Sequence, residues 1–109
     1  MTQPAHFRAK IEVFDTVAGG PGSGGFGFPE SGMRAVPMDF PGVLGLNTVI
    51  MHSHPNLSVD NGSAFEADCR VLVESLFAGK IKPGVEFHLW DGRHIARGQV
   101  LEVFDENWQ

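Results

Sequence analysis

The sequence has no tyrosine, one cysteine, only eight lysines and arginines together, and no long hydrophobic run. Each scarcity excludes a class of protein. The single cysteine, Cys69, cannot form an internal disulfide, which rules out a disulfide scaffold and fits a reducing compartment. Eight basic residues against thirteen acidic ones give a net charge of −5, and no segment of the chain is basic. Phosphate affinity needs clustered lysine and arginine, so this balance argues against a free-standing nucleic-acid binder. No apolar stretch approaches the roughly 20 residues of a membrane span, and Met1-Thr2-Gln3-Pro4 does not open a signal peptide. The expectation is a cytoplasmic protein without membrane association.

What is abundant narrows the fold. The 14 glycines and 7 prolines break helices, so long helices should be few. Nine phenylalanines and two tryptophans are enough for a real core, which argues against disorder. A chain of 109 residues is expected to form one domain, 1–109, without room for a nucleotide-binding domain beside it.

Period-2 alternation marks the strands. Phe7, Ala9, Ile11 and Val13 alternate with Arg8, Lys10 and Glu12, predicting a half-buried strand from Phe7 to Phe14. Met33 to Phe40 reads as a short strand in which Pro37 requires an edge or a bulge, and Leu46 to His52 as a third. Pro55 to Gly62 is turn chemistry. Ser63 to Phe77 fits two templates. As a strand it buries Phe65, Ala67, Cys69, Val71 and Val73, while as a helix it aligns Phe65, Cys69, Leu72, Val73, Leu76 and Phe77. Val85 to Trp90, the turn Asp91-Gly92, and His94 to Phe104 form a hairpin, with Ile95, Arg97, Gln99 and Leu101 on one face and Ala96, Gly98, Val100 and Glu102 on the other. Gly98 inside a strand implies a bulge or close backbone approach.

The Gly19 to Pro29 segment is glycine-rich and carries Phe26 and Phe28, which either fold back on the core or serve a flexible binding loop. It is no phosphate loop. A Walker motif needs a lysine, and the only lysines are Lys10, Lys80 and Lys82. No nucleotide is expected here.

The hairpin Lys82-Pro83-Gly84-Val85-Glu86-Phe87-His88-Leu89-Trp90-Asp91-Gly92-Arg93-His94-Ile95-Ala96-Arg97-Gly98-Gln99-Val100 resembles the closing hairpin of the third, C-terminal domain of elongation factor Tu. Phe7 to Phe14 is similar to that family's opening strand, and Ser31 to Met38 to its glycine, aromatic, arginine, proline segment. The resemblance spans residues 7–104 and is most specific in the hairpin. It implies a stand-alone, closed six-stranded antiparallel Greek-key barrel and makes Ser63 to Phe77 mainly strand. Without the factor's GTPase domain, no GTP hydrolysis is implied. In the factor this domain contributes to aminoacyl-tRNA and exchange-factor binding, and the matching positions are Arg34, Gly92 and Arg93. The implied role is a non-catalytic, translation-associated interaction module with a protein partner. At −5, any tRNA binding should be weak. Whether an edge strand also makes the protein a homo-oligomer stays open.

A second motif points to a different class. His52-Ser53-His54-Pro55 resembles the metal-binding motif of JAMM-type zinc isopeptidases, in which two histidines at i, i+2 on a strand face the same way. His52, His54 and Glu66 would hold zinc, with Ser63 beside them and Glu12 or Glu30 as general base. Such a zinc would activate water to hydrolyse an amide or isopeptide. Aspartate is expected where Glu66 stands, and the gap from His54 to Ser63 is about one residue longer than that motif's usual spacing. The binding-module reading therefore assigns no metal and no cofactor. Cys69 reads as a small buried hydrophobe. His6, His88 and His94 form no cluster by spacing.

Overall fold

The computed structural model describes residues 5–14 and 26–104. These form eight strands: β1 Phe7–Val13, β2 Phe26–Gly27, β3 Met33–Asp39, β4 Leu46–His52, β5 Ser58–Val59, β6 Ala64–Val71, β7 Glu86–Trp90 and β8 His94–Val103, with one 3-10 turn at Glu74–Leu76. Six strands close an antiparallel barrel in the order β1-β6-β4-β3-β7-β8, while β2 and β5 pair separately. β3, β4 and β6 follow one another around the barrel and β1 lies beside β6, which is Greek-key order.

Alternation explains the core. Phe7, Ala9, Ile11 and Val13 on β1, Val49 and Met51 on β4, and Ala67, Cys69 and Val71 on β6 are all buried. Ser63 to Phe77 is thus strand as far as Val71 and then leaves the sheet; Val73, expected inside, is 49% exposed. The barrel axis is filled by rings. Phe7 meets Phe87 edge-on at 6.0 Å, Phe87 stacks on Phe40 at 5.8 Å, and Phe40 meets Phe77 at 5.6 Å. Each fully buried ring contributes about 1.5–3 kcal/mol from apolar burial.

The last strand departs from simple alternation, and bulges are the reason. Leu89 pairs with Ala96 but Trp90 pairs with His94, so Ile95 is the extra residue and both Ile95 and Ala96 point inward. Ile95 therefore does not share the outer face of Arg97, Gln99 and Leu101. A second register shift, between Arg8 and Ala9, leaves Leu101 as the extra residue and turns Leu101 and Glu102 outward before Val103 is buried.

Two plugs close the barrel ends. Phe77 and Ile81, from the β6–β7 connection, are fully buried at one end, where Lys80 Nζ donates to the Gly42 carbonyl at 2.7 Å. At the other end Phe26, Phe28 and Phe65 pack together with ring centroids 5.4–5.7 Å apart. Phe26 and Phe28 thus fold back on the core, and Pro55 to Gly62 holds a two-residue strand, not turns alone, because Ser58–Val59 pairs with β2 over this plug. Residues 19–25 of the glycine-rich segment lie outside the described residues.

Gly98 sits opposite Phe87, and a Cβ placed on it would stand 2.2 Å from Phe87 Cζ. Close approach, the reading anticipated for an internal glycine, is the reason for this residue. Gly98→Ala should cost roughly 1–3 kcal/mol, the usual penalty of overpacking. Chemical denaturation at constant m-value measures it, and an unchanged midpoint would contradict the packing.

Candidate functional site

The seam between β3 and β7 is short. Only Met38 with Leu89 and Asp39 with His88 pair across it, whereas β3 pairs with β4 along its whole length. Hydrogen-bond geometry explains where the ladder stops. Ser53 N–H donates to the Gly32 carbonyl, so Gly32, Arg34, Val36 and Met38 direct their main-chain groups to β4. Met33, Ala35, Pro37 and Asp39 then direct theirs to β7. Pro37 has no N–H to offer there, and β7 turns away at Trp90. The proline lies in no bulge, and β3 is no edge strand of the closed barrel; Pro37 stands where the β7 ladder ends and an unpaired stretch of β3 begins.

Beyond Pro37 the seam opens into a cleft of about 250 Å³ lined by Arg34, Ala35, Val36, Pro37, Trp90, Asp91 and Gly92. Of the three predicted binding residues, Arg34 and Gly92 therefore meet here. Arg93 is exposed on the same turn but is not part of the lining. Gly92 adopts φ +72°, the left-handed conformation that the Asp91-Gly92 turn requires.

Arg34 is held from within the protein. Its Nη1 donates to the Gly27 carbonyl at 2.8 Å, and the guanidinium lies 4.0 Å from the centroid of Phe26. Partial burial lowers its pKa from the ordinary arginine value, an effect that the Asp91 carboxylate opposes. One cation therefore ties β2 to the barrel while its neighbour, Asp91, offsets its charge at the cleft.

Trp90 joins the turn residues at the cleft, and alternation with buried Phe87 and Leu89 places it on the outer face beside the turn. Behind Trp90 lies an arrangement that spacing could not show. His94 meets Trp90 edge-on at 5.6 Å and stacks on His88 at 4.5 Å, and its Nε2 lies 3.0 Å from Asp39 Oδ2. His88 and His94 thus form a pair across the hairpin. His88 faces outward as alternation predicts, yet desolvation, then the neighbouring His94, lowers its pKa.

His52, His54 and Glu66 line a separate groove of about 370 Å³ with Arg8, Ser53 and Asp68. β4 ends at His52, so Ser53 and His54 lie beyond the strand and the i, i+2 geometry of a shared strand face does not apply. The His54 carbonyl accepts from Leu57 N–H in the following turn. Asp68 is paired with Arg8 at 2.9 Å, Glu66 stands opposite Lys10, and Glu12 is bonded to Arg97 at 2.7 Å. Among the described residues, no group of three or more histidine, cysteine or acidic side chains is placed to hold a metal ion. Ser63 begins the approach to β6, where its carbonyl accepts from Val13 N–H, and Glu30 is exposed in a turn.

Two further residues have structural work. His6, buried, accepts the Val71 N–H on Nδ1 and contacts Glu74 through Nε2 at 2.8 Å. Cys69 is fully buried, which pushes its thiol pKa far up and leaves it a protonated core residue.

Neither a protein-family model nor a curated protein sequence matches the chain.

The His88 shift has a definite sign. A base with a lower pKa in the folded state binds more protons when unfolded, so stability falls as pH drops below the ordinary histidine value of about 6.5. Around it stand His94, Arg97, Asp39 and Glu86. Denaturation between pH 7 and 5.5 should show this loss, and His88→Gln should flatten it; an equal slope in both proteins would assign the effect elsewhere.

Proposed function

We propose that the protein is a non-catalytic interaction module that binds a protein partner through the cleft between β3 and the β7–β8 turn. One observation carries this reading: the interior is filled by its own phenylalanines, while Arg34 and Gly92 converge with Trp90 and Asp91 on one open surface cleft. The half-buried tryptophan beside an arginine is the residue pairing in which binding energy concentrates at interfaces. The hairpin's resemblance to the C-terminal barrel of elongation factor Tu extends the reading to the cytoplasm and to translation. A tRNA partner is the weaker choice, because Arg34 is engaged with Gly27 and Phe26 and its charge is offset by Asp91.

A photo-crosslinking side chain at position 91 should capture a discrete partner in the source cell, and Trp90→Ala should abolish the capture. The same group at position 102, on the outer face of β8, should not capture it. Equal labelling at both positions would sink the proposal. Filter binding to tRNA across a salt series should show no saturable complex at physiological salt.

The competing zinc hydrolase makes an opposite demand. Protein purified without added metal should carry far less than one zinc per chain, and His52→Ala should not change that content. Stoichiometric zinc that disappears in His52→Ala would replace the binding module with the enzyme.

A further inference from the structure

Resting on that reading of the cleft, we infer that its ligand is an extended protein segment, added as a strand against the free edge of β3 in the lane that β7 vacates after Trp90. The argument is one of main-chain hydrogen bonding. The Gly32–Ser53 bond sets the alternation of β3, so Met33 and Ala35 direct both their N–H and C=O groups toward the seam, where β7 pairing reaches only Met38 and Asp39. The Met33 N–H has a long contact to Ser31 Oγ at 3.3 Å. The Ala35 N–H and C=O have no protein partner among the described residues, and Ala35 is exposed. A row of unpaired donors and acceptors on an exposed edge is a template for a further strand.

The surroundings suit a main chain better than any charged ligand. About 250 Å³ separates the edge from Asp91 and Gly92, which is room for a short backbone segment and not for a domain. The cleft holds one arginine and one aspartate, so it offers no net charge to a phosphate chain. Gly92, without a side chain, keeps the far wall low, and the outward-facing Pro37 and Trp90 form an apolar wall for one side chain of the incoming strand. Pro37 sets the limit of the register. With no N–H it cannot extend the ladder, so the added strand is bonded through Met33 and Ala35 and stops there. Such short edges, guarded by proline, also resist indiscriminate pairing with other copies.

The test uses the full chain and short random peptides displayed on phage, with selected sequences then made as free peptides. Binding should shift the amide resonances of Met33 and Ala35 and slow their hydrogen exchange. Ala35→Pro removes the free N–H on the seam side, and should weaken the peptide about tenfold while the thermal midpoint stays near that of the parent. Should Ala35→Pro fold poorly, the exchange measurement on the parent protein decides alone. Peptides that bind with shifts at Trp90 and Asp91 but none in exchange at Ala35 would overturn strand addition and leave the cleft as the binding site. Failure to select any peptide that competes with a Trp90-dependent partner would overturn the strand inference only. Shifts confined to residues away from the cleft, or saturable binding of a mixed-sequence RNA there in place of peptide, would overturn both.

Discussion

The barrel is closed across β3 and β7 by two residue pairs, and that short closure holds because Phe87 is driven into the space above Gly98. Hydrogen bonds alone would close it poorly, since each contributes only about 0.5–1.5 kcal/mol net. Phe87 touches Phe7 of β1 on one side and Phe40, just past the end of β3, on the other, so the ring that packs over β8 also ties β7 to β1 and to the end of β3. Packing, more than the ladder, holds the seam. Gly98 is the condition for it, because any side chain there would displace the ring.

A seam held by packing at one point is free to open elsewhere. Pro37 removes the donor that would have continued the β3–β7 ladder, and β7 turns into Asp91 and Gly92 directly beyond it. The cleft is the result, so one residue accounts for both the limit of the ladder and the opening beside it. Arg34 links this opening to the second aromatic plug. It reaches from β3 to the Gly27 carbonyl and the Phe26 ring, holding the β2–β5 cover in place, and Asp91 stands close enough to counter its charge. The stacked histidines behind Trp90 add a titratable group on the same side of the hairpin.

Legibility differed from element to element for physical reasons. β1 and most of the hairpin followed from alternation because each has one wet and one dry face. β6 was ambiguous, since Phe65, Cys69 and Val73 satisfy both a 3.6-residue and a 2-residue period; pairing with β1 and β4 resolves it. Ile95 broke the pattern because a bulge is a relation between two strands and leaves no mark on one. At the cleft, Arg34 and Gly92 were reached by resemblance to a family motif, whereas Trp90 needed the seam. The pairing of His88 with His94 and Asp39 joins three strands, and the groove at His52 shows the reverse case, a suggestive spacing whose strand ends one residue too soon.

By itself the sequence determined that long helices would be few, the buried faces of most strands and the absence of a lysine for a phosphate loop. These depend on local period, composition and single-residue chemistry. Only the tertiary structure decided that the barrel closes between β3 and β7, where its ladder stops, and which side chains meet at the opening. Closure brings together residues more than fifty positions apart, such as Arg34 and Trp90, and their proximity is a consequence of register and packing that no local pattern encodes. The few basic residues have the same lesson in them: counting showed that the chain has no basic segment, and the fold showed that Arg34 is occupied within the protein.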